Sequence, residues 1–212
     1  MEGACVTELS ARRSATRDRL IEAAMTVFAE RGVGGATVEV ICEAAGFTRG
    51  AFYSNFDSKD ALCLAVLSAQ AQQNLAATEG AIAGLSDEMT TASVDDLVGR
   101  AVQLFLSSQR HDLTWVMAAS ELRLYAAREA SLRPEYVADV AHMSELFATM
   151  ISEAAAQCGL TFILPPLEAV SVLQAVYEHT TIMGLIEGAA PDSPAPGDRL
   201  AAVFRSMLRP LD

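Results

Sequence analysis

The chain has little of what most catalytic and metal-binding sites need. It holds three histidines, His111, His142 and His179, and no His-Glu-x-x-His, Gly-x-Ser-x-Gly or phosphate-cradling glycine loop. Asp139 and His142 fall on one helical face, three residues apart. That spacing can take a metal ion, but a lone pair is more often a solvated contact. No enzyme, catalytic residue, metal or cofactor is therefore expected. Cys5, Cys42, Cys63 and Cys158 show no paired spacing and no Cys-x-x-Cys. They read as free thiols, largely buried, in a reducing compartment. No apolar run approaches the ~20 residues of a membrane span. The opening MEGACVTELSARR lacks the basic start and apolar stretch of an export signal, so a cytoplasmic protein is expected. Positive charge is also short: the net charge of −12 has the wrong sign for a nucleic-acid binder.

What is present points elsewhere. Of 212 residues, 51% are hydrophobic and 20% charged, which describes a globular chain with enough length for a real core. The acidity is unevenly spread. Residues 10–62 hold seven basic and seven acidic side chains, whereas residues 63–212 hold eight basic and eighteen acidic. The neutral segment contains the most informative stretch, Thr37–Leu62. Thr37 can cap a helix whose apolar face is Val38, Ile41, Cys42 and Ala45. Gly46 suits the left-handed residue that ends it, and Phe47 should pack into the angle that follows. Thr48 caps a second helix, Arg49 to about Phe56, with Phe52 and Phe56 pointing one way. Arg49, Gly50, Tyr53, Ser54 and Asn55 are left to the other face. Two short helices joined by a glycine turn form a helix-turn-helix, whose second helix fits a major groove.

The run GFTRGAFYSNFDSKDAL resembles the signature of TetR-family transcriptional regulators, with its Phe-Tyr pair, short polar link, Phe and Ser-Lys-Asp. Leu20–Gly32 resembles that family's first helix, and the likeness covers about residues 14–66. The resemblance implies that the second helix of the motif reads DNA. Arg49 would take a guanine edge or a phosphate, and Thr48, Tyr53, Ser54 and Asn55 would mix phosphate and base contacts. Gly50 would let the backbone come close, and Ala51 would meet a thymine methyl. Thr37 and Lys59, each at a helix start, would hold phosphates. The chain departs from the pattern at Ser54-Asn55, where many members carry His or Tyr. Arg12, Arg13 and Arg17 complete the basic set expected to face DNA.

Along the chain, residues 1–13 read as a flexible arm, 14–57 as the helix-turn-helix domain, and 58–212 as a helical body entered through the helix capped by Ser58. Helical periodicity recurs at 93–106, 113–128, 134–158, 167–187 and 198–208, with no convincing strand. The expected fold is all-α, about nine helices, with a three-helix head and a C-terminal ligand-binding and dimerisation body. The family likeness implies that the last two helices pair with their copies. Val176, Thr180, Gly184, Leu200, Phe204 and Met207 are the candidates for that homodimer interface; finishing the monomer core is the plainer alternative. Phe105, Trp115, Met117, Tyr125, Met143, Phe147, Met150, Tyr177 and Met183, with Glu121, His142 or His179 as polar anchors, could line a small-molecule cavity. The same residues equally describe an ordinary core. The expectation is thus a repressor that binds a palindromic operator as a dimer and is released by a small, largely apolar effector. A DNA-binding regulator controlled by a protein partner, and a helical protein that keeps the head without binding DNA, remain the alternatives.

Overall fold

The computed structural model describes residues 2–85, 96, 99, 113–188 and 195–211. Among them run α1 (Glu2–Gly35), α2 (Val38–Ala45), α3 (Arg49–Tyr53), α4 (Lys59–Leu85), α5 (Leu113–Arg128), α6 (Arg133–Gln157), α7 (Pro166–Ile186) and α8 (Ala195–Ser206). Two short strands, β1 (Leu160–Phe162) and β2 (Leu208–Pro210), pair antiparallel. The fold is all-α apart from this ladder, which corrects the expectation of no strand. Three residues are too few to show a period of two, and Leu208 continues the apolar pattern of the helix before it. The helix expected over 93–106, and Phe105 with it, lies outside the described residues.

The chain divides into two compact units, 1–70 with 112–137, and 71–111 with 138–212. The boundary expected at 57/58 differs from this division: the first unit also takes in the start of α4 and all of α5. Its core is built from Leu20, Ala24 and Phe28 of α1, Ile41 and Cys42 of α2, Phe52 of α3, Leu62 and Val66 of α4, and Ala118 and Leu122 of α5. Trp115 and Tyr125 pack against the same cluster. Residues 1–13, expected as a loose arm, are helical from Glu2 onward. They contain no proline, and seven of the thirteen are Ala, Glu, Leu or Arg, which propagate a helix well. The helix breaks at Gly32, where φ is +69°. A β-carbon there would stand 2.8 Å from Glu121 Oε2, so this glycine serves both the bend and the approach of α5.

Within the second unit, α7 packs on α8. Ala155, Leu160, Phe162, Ala169 and Met207 form a buried cluster, with Phe162 and Phe204 edge to face at 5.8 Å. Gly159, at φ +68°, turns the chain from α6 into β1. The ladder sets Leu160 opposite Pro210 and Phe162 opposite Leu208. It is extended at its ends by Ile163 N–H to the Met207 carbonyl (2.8 Å) and Leu211 N–H to the Gly159 carbonyl (2.8 Å).

Candidate nucleic-acid interface

The helix-turn-helix is assembled by local chemistry. Thr37 caps α2, its hydroxyl oxygen accepting from the Val40 amide at 3.3 Å. Gly46 takes the left-handed conformation (φ 70°, ψ 32°) and ends the helix. The Phe47 amide donates back to the Cys42 carbonyl at 2.8 Å, which satisfies a carbonyl the helix would otherwise leave unpaired. Thr48 then caps α3, accepting from the Ala51 amide at 3.3 Å. The helix is shorter than the sequence suggests, ending at Tyr53, yet Phe56 is buried as its spacing requires. Phe52 is the anchor. It is fully buried, touching Phe56 with ring centroids 5.7 Å apart. With these two rings turned in, Thr48, Arg49, Gly50, Tyr53 and Ser54 are left exposed.

Three arginines of α1 fasten this arrangement from behind. Arg13 Nη2 donates to the Ser54 carbonyl at 3.0 Å, and Arg17 Nη1 to the Asn55 carbonyl at 3.1 Å. Arg17 also lies over the Phe56 ring at 4.3 Å. Arg19 Nη2 donates to the Ala45 carbonyl at 3.0 Å and stacks over Phe47 at 4.8 Å. Positive guanidinium groups thus meet the negative C-terminal ends of α2 and α3. Arg13 and Arg17 were expected in the DNA-facing set. Their role as fasteners was not legible in the sequence, because the carbonyls they reach lie about forty residues away.

The expected contact residues fall into groups. Thr37, Thr48, Arg49, Gly50 and Tyr53 are exposed on the two helices and their caps. Gly50 has room for a β-carbon, which would meet only the Thr48 hydroxyl at 3.7 Å, so no internal crowding demands a glycine there. Ser54 is exposed, but its hydroxyl donates to the Gly50 carbonyl at 2.8 Å. Ala51 and Asn55 are half-buried. The Asn55 amide donates to the Ala51 carbonyl at 2.8 Å, and its Oδ1 is enclosed without a hydrogen-bond partner. Lys59 is turned into the fold: its ammonium donates to the Val33 carbonyl at 2.8 Å and stands 5.2 Å from the Tyr125 ring centre. Beside it, the Tyr125 hydroxyl donates to Asp60 Oδ1 at 3.0 Å.

One residue of this surface escaped the sequence reading. Glu39 Oε1, in the first turn of α2, meets Arg49 Nη1 at 2.7 Å. The carboxylate also accepts from its own backbone amide and from the Thr37 hydroxyl, which, with the Arg49 charge, hold its pKa below the ordinary value. Arg49 is bonded by Tyr53 and paired with Glu39, both of which stabilise its positive form. The signal was present as Thr37-x-Glu39 at a helix start. Its partner, ten residues on, becomes a neighbour only after the turn at Gly46.

The residues expected to line a ligand cavity are divided between the two units. Trp115, Glu121 and Tyr125 belong to the first unit, with Trp115 and Tyr125 packed on the head core. Met117 of the same helix is exposed. Met143, Phe147, Met150, Tyr177 and Met183 are half-buried in the second unit, where His142 and His179 are exposed. Of the expected dimer residues, Thr180, Leu200 and Met207 are already buried within the single chain, and Phe204 packs on Phe162. Val176 and Gly184 are half-buried. Among the described residues no group of His, Cys, Asp and Glu has the makings of a metal site, and no helix is long and apolar enough to cross a membrane.

Comparison with known proteins falls on the same head. Residues 20–66 match the family described as bacterial regulatory proteins, tetR family. The chain is similar to the HTH-type transcriptional regulator SrpR of Pseudomonas putida, 43% identical over 61 residues, which is 29% of each protein. It is also similar to the HTH-type transcriptional repressor KstR2 of Rhodococcus jostii, 44% identical over 50 residues, or 24% of each. The match therefore spans under a third of these two curated relatives. In fold, the chain is similar to a regulator from Mesorhizobium loti assigned to the same family (TM-score 0.69, 19% identity, 92% of this chain and 96% of that one). It is likewise similar to the transcriptional regulator FadR of Bacillus subtilis in complex with stearoyl-CoA (TM-score 0.67, 17% identity, 88% and 96%). At these identities the likeness to solved structures is one of fold.

Proposed function

Because the chain belongs to the TetR family of bacterial transcriptional regulators, we propose that it is a repressor that binds an inverted-repeat operator as a homodimer and is released by a small, largely apolar effector. The observation that carries the reading is α3. A five-residue helix turns Phe52 inward and leaves Thr48, Arg49, Gly50 and Tyr53 outward, small and polar enough to enter a major groove. Arg49 reads a guanine edge, Gly50 and Ala51 allow close approach, and Thr37, Thr48 and Tyr53 position the backbone of the duplex. Ser54 and Asn55 serve chiefly to finish α3, since their donors are turned back onto it. Lys59 supports the end of α1 in the same way, and its charge reaches phosphate only indirectly. The acidic balance of residues 63–212 lies in the part that need not approach DNA.

Two heads a helical turn apart, about 34–36 Å, read two half-sites. The pairing face proposed is the exposed apolar stripe of α7, Val172, Ala175 and Ile186, with Val176 beside it; Gly184 falls on the same side of the helix as the buried Thr180 and Val170. Thr180, Leu200 and Met207 are buried within the single chain and serve as monomer core. For the effector, the half-buried Met143, Phe147, Met150, Tyr177 and Met183 are the proposed lining. An apolar effector is supported by the fold likeness to FadR, whose solved structure holds stearoyl-CoA. The effector acts only by its preference for one placement of α4, the helix that leads out of the head; equal affinity for both placements shifts nothing.

Selection of duplexes from a random pool by the purified full chain tests the reading. The recovered sequences should share an inverted repeat and bind with a steep negative salt dependence. Arg49→Ala should lose about 1–3 kcal/mol at the cognate sequence and relax discrimination at one position of each half-site. A pool that gains no common sequence, or an Arg49→Ala loss equal on all duplexes, would overturn it.

A further inference from the structure

We propose that Glu39 is a specificity-determining residue of the DNA-reading face. By holding one edge of the Arg49 guanidinium it keeps that charge from gripping phosphate and leaves it for a base edge. The inference rests on the DNA-binding reading above and adds a residue to it.

Charge on this face is scarce. Arg49 is the single basic residue between positions 38 and 58, a stretch that also holds Glu39, Glu43 and Asp57. Its one cation is committed to Glu39 at 2.7 Å, while both side chains are more than half exposed (61% and 56%). An ion pair so exposed contributes little to folding. Its consequence lies in what can approach from outside. The pair is also braced. The Thr37 hydroxyl and the Glu39 amide hold the carboxylate, and Tyr53 bonds the guanidinium, with its ring centre 5.9 Å from Arg49 Cζ.

A guanidinium carries five N–H donors in a fixed plane. With Nη1 on Glu39, donors remain for a second acceptor, and the plane in which they lie is set by the carboxylate. A phosphate brought to those donors also comes near the Glu39 carboxylate. At ~4 Å in water, repulsion between two unit charges weakens binding by about fivefold. The O6 and N7 atoms of guanine carry no net charge and meet no such penalty. The pair therefore taxes sequence-independent contact and spares base contact. A free arginine at this position would do the reverse, since arginine binds phosphate readily in any sequence.

The test uses the purified full chain, its Glu39→Gln variant, and both again with Arg49→Gln. Each is titrated, over a range of salt, with a duplex selected by the wild type and with a scrambled duplex of equal length. Glutamine keeps a hydrogen bond to Arg49 but loses the charge. Glu39→Gln should bind the scrambled duplex about fivefold tighter, with a salt slope steeper by about one. The ratio of selected to scrambled affinity should fall about fivefold, with the melting temperature unchanged. In the Arg49→Gln background, Glu39→Gln should leave the salt slope where it was. An unaltered ratio and slope in the Glu39→Gln variant would overturn the inference. A slope that steepens without Arg49 would overturn it too, because the carboxylate would then be acting on phosphates by itself. Should the wild type select no duplex at all, the DNA-binding reading fails first and this inference with it.

Discussion

Cys63 and Tyr125 show what burial does to single residues of the head. Cys63 is fully enclosed, and loss of water around it pushes its thiol from 9.0 up to about 12. Tyr125 moves the same way, by desolvation first and by its bond to Asp60 second. The sign for stability follows from proton binding. Below pH 9 both the folded and unfolded chains keep the Cys63 proton, and its contribution is fully present. Above pH 9 the unfolded chain releases that proton while the folded head retains it, so stability falls until the folded value is reached. Cys63→Ala should therefore shrink the difference in unfolding free energy between pH 8 and pH 10.5 by roughly 2 kcal/mol. Urea titrations at the two pH values measure it, and an equal difference in variant and wild type would refute it. Residue roles were legible where the partner is local. Thr37 and Thr48 bond amides three positions on, and Phe52 and Phe56 share a side because they are four apart. The bond from Lys59 to the Val33 carbonyl was not legible, because that carbonyl is 26 positions upstream.

At the scale of elements, α3 is too short to be stable alone, since nucleating a helix fixes several residues for few hydrogen bonds. Its exposed length is held by its cap, by Phe52, and by Arg13 and Arg17 at its C-terminal end. Replacing both arginines with alanine should cost about 1–2 kcal/mol of head stability. Amide exchange should accelerate at 54–56 and remain unchanged in α2, whose own end is held by Arg19. Uniform exchange across both helices would argue that the arginines do not act locally. The helices of the head were readable because caps, glycines and apolar spacing agree. The N-terminal extent of α1 was not, since residues 2–13 offer helix propensity without an apolar face. The strands β1 and β2 were hidden for another reason: their pairing joins residues nearly fifty positions apart, and neither is long enough to alternate.

For the whole molecule, the family and the all-α class were readable, and the assembly was less so. Among the described residues, α7 keeps large apolar side chains exposed. Val172 and Ile186 remain 38% and 72% exposed on α7, while Leu200 and Met207, equally apolar in sequence, are enclosed. Periodicity says that a face is apolar; it does not say whether a neighbour in the same chain or in a second copy will cover it. Val172→Glu with Ile186→Glu should convert the proposed dimer to a monomer with unchanged helical content. Light scattering during gel filtration and circular dichroism would read the two properties. A dimer that persists would place the contact elsewhere. The expected ligand lining suffers the same ambiguity, since Trp115 and Tyr125, large enough for a cavity wall, pack against the head core.

The ladder of β1 and β2 has a practical corollary. Leu208–Pro210 stitches down the far end of α8, and Leu211 N–H closes the seam on Gly159. Clipping the chain just past Ser206 would unpick that seam, strip Met207 from the cluster around Phe162, and leave α8 without its moorings. A truncation at that point would therefore loosen the helix that the ladder secures.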